Sequence, residues 1–278
     1  MLSRTYRPSA DLAPYIRRFY VFEAPLPDGA VIEDFLLSET ALVRCLLRGD
    51  WAAETSPGEW NTAGNVVFFG ANSRPLRVRV KGGFAVTGFA VRPSGWHALF
   101  REAHNMLSDK MLPLQSLWGA LAETMFAGVA QASDDDGQLA AMEGALRERI
   151  ALLQTPAADL QMARFETIAR TDSTMRIEDA AALVGLSVRQ LERRCLATFG
   201  LTPKAILRRS RFLDTATALR GFSSPSEGEL DALRYFDQSH MTREFRKYTG
   251  MTPRTFANAT TPLQTAGLKL REESRFED

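Results

Sequence analysis

The sequence is poor in the residues that form disulfides and bind transition metals. Its 278 residues include two cysteines, Cys45 and Cys195, and three histidines. The cysteines lie far apart without a Cys-x-x-Cys pair, so neither a disulfide framework nor a zinc site is indicated. A metal-dependent β-barrel enzyme needs several histidines on its strands, whereas His97 and His104 lie in sequence predicted to be helical. We therefore predict no metal, no cofactor and a reducing compartment.

Long apolar runs and familiar catalytic motifs are also missing. No run approaches the roughly 18 apolar residues of a membrane span, and residues 1–8 lack the apolar segment of a secretion signal. No Ser/His/Asp set, phosphate-binding loop or glycine-rich dinucleotide turn stands out. We expect a cytoplasmic protein that is not an enzyme and has no membrane partner. At 45% hydrophobic residues, the chain is long enough for about two domains.

Charge is distributed unevenly along the chain. The net charge is only +1, but residues 176–254 contain 14 Lys or Arg against nine Asp or Glu. This segment is therefore basic, while the remainder is acidic. A basic excess confined to one part of a chain is typical of a surface that faces nucleic-acid phosphates.

One connection between helices occurs twice in the basic segment. The sequence Phe199-Gly200-Leu201-Thr202-Pro203 is matched later by Thr249-Gly250-Met251-Thr252-Pro253. In each copy a Gly suited to the left-handed conformation ends one helix, a Thr caps the next, and a Pro occupies the first turn. Each copy predicts a helix stop followed at once by a helix start.

The helices before these joints predict two helix-turn-helix units. In the first unit a short apolar helix leads through a Gly-containing turn to Ser187, which with Gln190 forms a capping box at the second helix. In the second unit, residues 230–233 predict a shorter helix, 234–237 the turn, and Asp237 the cap of the second helix. Residues 203–220 predict one amphipathic connecting helix, whose apolar stripe is formed by Ile206, Leu213, Ala216 and Leu219.

Residues 176–256 resemble the double helix-turn-helix domain of AraC/XylS-type transcription regulators. The strongest similarity is DQSHMTREF at 237–245, followed by Gly250-Met251-Thr252-Pro253. The resemblance implies a sequence-specific DNA-binding transcription regulator whose main partner is double-stranded operator DNA. It also implies a homodimer and makes RNA polymerase a further candidate partner.

The two recognition helices carry the predicted base contacts. An α-helix fits the major groove of B-DNA, and outward side chains near its first turns reach base edges. Leu191 and Cys195 are expected to face inward in one helix, and Met241 and Phe245 in the other. The predicted base-contacting residues are Arg189, Glu192, Arg193, Gln238, Ser239, Thr242 and Arg243, and the family resemblance places its base contacts at the matching positions.

Phosphate contacts are predicted from side chains and from capped helix starts. The predicted set is Ser187, Arg194, Thr202, Lys204, His240, Arg246, Lys247 and Thr252. A basic amphipathic helix is also compatible with a solvated surface, and His240 with simple packing. The repeat of the whole unit at a fixed offset favours the DNA interpretation. Cys195, at the position matched by Phe245, is interpreted as a core residue.

The N-terminal part predicts an antiparallel β-barrel or sandwich. Short β-rich runs at 16–22, 31–37, 41–47, 65–69, 76–80 and 84–91 are separated by turn formers. The segments FGANSRPL at 69–76 and GFAVRP at 88–93, with Leu112-Pro113-Leu114, are similar to N-terminal domains of one branch of the same family. The resemblance implies a cupin-like sensor domain.

A small-molecule effector of the first domain is an expectation without a named ligand. A pocket that pairs an anionic aromatic ligand with Arg would use Arg44, Trp51, Arg74 and Phe89. Each of these four residues is also compatible with an ordinary core or surface role. The alternative function is a ligand-independent regulator whose first domain binds a protein partner.

The sequence predicts an α+β protein in four parts. A β-rich sensor domain spans 1–113, and a helical linker spans 114–172, where the family resemblance implies helices that dimerise the protein or dock on the barrel. The double helix-turn-helix domain spans 173–260, and 261–278 is a tail. A DNA-repair enzyme that transfers alkyl groups is a rival interpretation, but it needs activated cysteines, which Cys45 and Cys195 supply poorly.

Overall fold

The computed structural model describes residues 2–154, 158–223 and 238–273. The helix, turn and Asp237 cap predicted at 230–237 lie outside these residues. The protein is α+β, with an antiparallel sheet in its first part and helices in its second. Across the described ranges, no helix combines the length and apolarity that crossing a membrane requires.

The predicted β-rich domain is confirmed as one antiparallel sheet, with eight strands among the described residues. Its order is β1-β2-β7-β4-β6-β8, with β3 paired to β7 and β5 to β4. The strands are β1 (Leu2–Tyr6), β2 (Ile16–Ala24), β3 (Val31–Leu36), β4 (Leu42–Ser56), β5 (Glu59–Asn61), β6 (Val66–Phe69), β7 (Leu76–Val91) and β8 (Met111–Pro113).

Two strands are longer than the sequence predicts. The runs at 76–80 and 84–91 were expected to be separate, but β7 continues through Gly82, whose φ is +68°. Its first half pairs with β3 and its second half with β2, while β4 stays on the other side of both. The glycine therefore lies where one neighbour of the strand changes from β3 to β2. β4 likewise passes through Gly49 at a register shift, where an added Cβ would lie 2.7 Å from the Cβ of Phe84.

Each face of this sheet has its own hydrophobic core, as alternation along the strands dictates. On one face, Phe19, Phe68 and Phe89 pack with Trp96 and Trp118 of the following helices. On the other face, Phe22, Trp51, Val80 and Phe84 pack together, and Leu263 from near the C-terminus joins them. The hydrophobic core on the second face of the sheet therefore includes a residue from near the C-terminal end of the chain.

Five helices connect the sheet to the C-terminal part of the described chain. They are α1 (Trp96–Leu99), α2 (Gln115–Trp118), α3 (Ala120–Gln131), α4 (Asp135–Leu153) and α5 (Leu160–Thr171). Within the predicted helical linker, Gly119 with φ +63° separates α2 from α3. Asp134 caps α4 through the backbone N–H of Gly137, at 2.8 Å. The α3 and α4 pair packs on the first face of the sheet, whereas α5 joins the helix-turn-helix core.

The C-terminal helices follow the predicted order. Those that the structure describes are α6 (Ile177–Leu183), α7 (Val188–Thr198), α8 (Pro203–Leu219), α9 (Gln238–Thr249), α10 (Pro253–Asn258) and α11 (Pro262–Glu273). The assignment of 261–278 as a tail needs correction, because α11 is a helix packed on the sheet. Leu263 lies in the core of the second sheet face, and Leu268 lies in a core with α8, α9 and α10.

The connecting helix α8 has buried residues outside the apolar stripe that the sequence predicts. Ile206, Leu213 and Ala216 are buried as expected, but Leu219 is 40% exposed at the last turn of the helix. Arg209 is buried and donates to the backbone carbonyls of three residues in the first domain, Ser38, Glu39 and Asn72. The helix therefore packs against the sheet domain as well as against both units.

His104 joins the sheet domain to the first helix-turn-helix unit. Its Nδ1 donates to the carbonyl of Thr198 at 2.9 Å, and its Nε2 accepts from the N–H of Ala71 at 3.2 Å. This pair of contacts fits the neutral ring. Complete burial is the main cause that lowers the pKa of His104 from 6.5 to about 4.

Burial of neutral His104 predicts a loss of stability in mild acid. Between pH 6.5 and about 4 the unfolded chain gains a proton that the folded chain resists, so stability falls as pH falls. The expected contribution is up to about 3 kcal/mol at pH 4. Urea unfolding of wild type and His104→Gln at pH 7 and pH 4.5 measures it.

The matched control for this prediction is His97→Gln, because His97 is exposed. The His104→Gln protein should lose less stability between the two pH values than either wild type or His97→Gln. Equal pH dependence in all three proteins would contradict the assigned role of His104.

Candidate nucleic-acid interface and effector cavity

The two repeated joints have the predicted local geometry. Gly200 and Gly250 have φ values of +77° and +73°, in the left-handed region. Thr202 accepts from the N–H of Ala205 at 3.3 Å, and Thr252 accepts from the N–H of Thr255 at 3.2 Å. In both joints a Pro occupies the first turn of the following helix. The structure therefore contains the same helix stop and helix start twice.

The first recognition helix presents its predicted base-contacting side chains to solvent. Ser187 and Gln190 form the capping box that starts α7. Leu191 and Cys195 are fully buried in the core of this unit. Arg189, Glu192 and Arg193 are exposed on the outer face of the same helix. Two arginines and one carboxylate are the groups that pair with guanine and cytosine edges in the major groove.

The second recognition helix has the same division into two faces. Phe245 is fully buried and Met241 packs partly buried against the same core. Ser239 and Arg243 are exposed, and Thr242 is half-buried. Gln238 begins α9, but the positions of the Gln238 and His240 side chains lie outside what the structure describes. The described part of α9 therefore offers one arginine and two hydroxyl groups.

Four of the eight predicted phosphate-contacting residues are exposed. Lys204, Arg246 and Lys247 are exposed, as is the capping Ser187. The capping residues Thr202 and Thr252 are half-buried at their helix starts. Backbone N–H groups at such capped starts are suited to phosphate oxygens.

Arg194 differs from the other predicted phosphate contacts. Its guanidinium pairs with Asp159 at 2.5 Å and donates to Gln161, both near the start of α5. In this arrangement Arg194 holds the recognition helix α7 against α5. The sequence did not indicate this partner, because α5 lies well before the helix-turn-helix pattern.

Two family descriptions match separate parts of the chain. Residues 180–259 match the family described as a helix-turn-helix domain. The C-terminal part of the chain is an AraC-type helix-turn-helix domain. Residues 4–113 match a family described as a domain of unknown function, DUF6597. The AraC-type domain thus follows an N-terminal domain with its own family, and α11 lies beyond both matches.

The chain is also similar to solved structures of ToxT from Vibrio cholerae. One such structure has 10% sequence identity and a TM-score of 0.48, and the match covers 86% of this chain and 97% of that one. A structure of wild-type ToxT bound to unsaturated fatty acid has 10% identity and a TM-score of 0.47, with 86% and 94% covered. No curated protein shows significant sequence similarity to the chain.

A cavity of about 160 Å³ lies between the sheet and α11. Its walls include Tyr20, Leu42 and Trp51 of the sheet and Leu263 and Leu268 of α11. The AraC-type domain contributes Leu213 of α8 as a further wall residue. The cavity is therefore bounded by both parts of the protein.

Two of the four predicted effector-binding residues line the cavity, and the other two lie in separate places away from it. Arg44 and Trp51 line the cavity, and the Arg44 guanidinium lies 4.5 Å from the centre of the Trp51 ring. Phe89 is fully buried in the core of the opposite sheet face. Arg74 is exposed in the loop before β7. The structure thus brings together one arginine and one aromatic side chain of the predicted set.

The cysteines provide no activated thiol for alkyl transfer. Cys45 and Cys195 are both fully buried. Burial raises the pKa of the Cys45 thiol to about 12 and also raises the pKa of Cys195. Because the thiolate is the reactive form, neither side chain is suited to the rival enzymatic chemistry. Among the described residues, no group of three or more His, Cys, Asp or Glu is placed to hold a metal ion.

The residues that join the two parts of the protein were not predicted from the sequence. Arg209 and Arg271 are buried arginines, and Asp34 accepts from the N–H groups of Leu263 and Gln264 at the start of α11. A signal existed for Arg209, which lies three residues after Ile206 and four before Leu213 on the buried side of α8. A charged residue at such a position predicts a buried partner.

Arg194 and Lys204 should affect DNA binding differently. Replacing Arg194 by Met removes a partly buried ion pair, so we expect a stability loss of about 1 kcal/mol and little change in the salt dependence of DNA binding. Replacing exposed Lys204 by Met should reduce the slope of log K against log salt by about one. DNA binding titrated over a range of salt concentrations measures both effects, and a reduced slope in Arg194→Met would contradict the assignment.

Proposed function

We propose that the protein is a cytoplasmic, sequence-specific transcription regulator whose DNA binding responds to a small-molecule effector held by the N-terminal domain. The observation that carries the proposal is the pair of recognition helices with matching joints. Each has a buried apolar face and an exposed polar face with an arginine within its first two turns. Such helices are suited to reading base edges in the major groove.

The connecting helix α8 supports reading of one continuous operator by both units. It is 17 residues long and packs in the cores of both units, with Ile206 in the first and Leu213 in the second. Two units held on one packed helix are suited to successive major grooves, about 34 Å apart on one face of the duplex. The proposed operator half-site thus has two short elements separated by about one helical turn.

The proposed regulator acts as a homodimer, with residues 114–172 supplying the contact between copies. Leu152 and Leu160 in this region are 59% and 73% exposed, which supports an apolar contact there. RNA polymerase is a proposed further partner once the operator is bound. An effector that alters the docking of the DNA-binding units would change which half-sites the dimer occupies.

Selection of bound duplexes from a random DNA pool tests the proposed function. We expect the purified full-length protein to recover a motif of two short elements about one helical turn apart. Salt-sensitive binding without any recovered motif would refute sequence-specific recognition.

Two arginine variants test which side chains read the motif. Arg193→Ala and Arg243→Ala should each weaken binding to the selected site by about 1–3 kcal/mol and relax the preference at one base pair. Arg74→Ala is the matched control, because it removes an exposed arginine from the first domain. If the first two variants weaken binding to all sequences equally, these side chains contact phosphates and not bases.

A further inference from the structure

The cavity between the sheet and α11 contains buried hydrogen-bond donors that lack partners. Arg44 is 8% exposed, and its Nε and Nη1 groups have no hydrogen-bond partner among the described residues. Within the same ranges, the Trp51 Nε1 and the Gln264 side-chain amide are also buried without a partner. All three residues line this one cavity. Burial of unsatisfied polar groups is costly, so their convergence on one space indicates a missing partner.

The chemistry of these groups indicates an acceptor with negative charge. Arg44 and Trp51 have only N–H donors, and a guanidinium keeps its charge when buried. The other charged groups that line the cavity have protein contacts. Arg271 pairs with Glu39 at 3.2 Å, Arg17 pairs with Glu166, and Arg18 donates to the carbonyl of Leu270 at 2.8 Å. A planar carboxylate matches the donor fork of an arginine.

The remaining wall residues limit the size and polarity of the part of the ligand that carries the carboxylate. They are predominantly apolar, with Phe22, Leu36 and Leu42 on the sheet side and Leu268 on the helix side. A volume of about 160 Å³ is close to the roughly 150 Å³ of a cavity known to accept benzene. The walls and the volume together fit a compact ring or a short branched chain.

We propose that this cavity binds a compact apolar monocarboxylate whose carboxylate accepts hydrogen bonds from Arg44 and Trp51. The Gln264 amide contacts the same ligand from α11. The proposal rests on the proposed function, since it names the chemical class of the effector and the residues that hold it. The stacking of Arg44 on the Trp51 ring at 4.5 Å orients the guanidinium before the ligand arrives.

Contact with α11 links the ligand to the DNA-binding units. Asp34 of the sheet caps α11 through the N–H of Leu263 at 2.7 Å and the N–H of Gln264 at 3.2 Å. At its other end, Arg271 pairs with Asp214 of α8 at 2.7 Å. A ligand that bridges the sheet and Gln264 therefore stabilises the docked arrangement of α8 and the second unit.

Calorimetric titration of the full-length protein with benzoate and cyclohexanecarboxylate tests the proposal. We expect both carboxylates to bind and to raise the thermal midpoint, with benzyl alcohol, a neutral compound of similar size, at least about tenfold weaker. Arg44→Met should weaken carboxylate binding at least about tenfold. Arg74→Met, which replaces an exposed arginine outside the cavity, should bind like wild type.

Two further variants keep the test independent of folding defects. Trp51→Phe retains an aromatic ring but lacks the N–H donor, and Gln264→Leu retains the approximate volume but lacks the amide. Each should weaken carboxylate binding severalfold, and near-ultraviolet circular dichroism should confirm that each variant is folded. Binding that is unchanged in all three cavity variants overturns the proposal, as does the failure of both carboxylates to bind wild type at millimolar concentration.

The DNA selection described above separates failure of this inference from failure of the proposed function. A recovered operator motif without carboxylate binding would leave the regulator assignment in place and remove the ligand class. Carboxylate binding without a recovered motif would support the cavity as a carboxylate site and refute sequence-specific DNA recognition. The inference is fully supported when a carboxylate binds and also changes the affinity for the selected operator in wild type, but not in Arg44→Met.

Discussion

Buried arginines hold the DNA-binding helices against the sheet domain. The two terminal nitrogens of Arg209 in α8 donate to the carbonyl oxygens of Ser38, Glu39 and Asn72, and Arg271 of α11 lies between Glu39 and Asp214. A guanidinium stays charged, so it is tolerated in the interior only where several acceptors surround it. These acceptors come from loops after β3 and β6 and from α8. The docked arrangement therefore depends on all three segments being in place together.

The same junction forms the two walls of the cavity in which the effector is proposed to bind. The sheet supplies Arg44 and Trp51, while α11 supplies Gln264 and is capped by Asp34. Burial raises the pKa of Asp34, but its carboxylate still accepts from two backbone N–H groups at the start of the helix. An anion at a helix start is favoured by the aligned peptide dipoles. The position of α11, which forms one wall of the cavity, therefore depends on Asp34 of the sheet domain.

Features determined by neighbouring residues could be predicted from the sequence. The Ser187 capping box, the Thr202 and Thr252 caps and the left-handed Gly200 and Gly250 all depend on a few adjacent residues. The exposed arginines of α7 followed from helical periodicity, and most strands followed from alternation. Of the four residues predicted to line an effector pocket, Arg44 and Trp51 line the cavity, whereas Arg74 and Phe89 lie elsewhere.

Features that depend on distant partners could not be predicted in the same way. The Gly82-Gly83 pair is typical of a turn between two strands. The chain nevertheless continues as the single strand β7, because β4 pairs with both halves of β7. Arg194 and its exposed neighbour Arg193 are the same residue type in the same helix. Only the position of Asp159, which pairs with Arg194, distinguishes the structural role of Arg194 from that of Arg193. The helix α11 has a charged end typical of a tail, and its packing depends on the sheet far earlier in the chain.

Each of the two parts contributes a buried side chain to the core of the other. Phe35 of β3 lies in the core of the second unit with Phe212 and Phe245, and Leu263 of α11 lies in the core of the sheet with Trp51 and Phe84. Neither part has a complete interior without the other. Recombination that joined this sheet domain to a different DNA-binding domain would have to carry α11 and the surface around Phe35 with it. In evolution the two parts are therefore constrained to be inherited and to diversify as one unit.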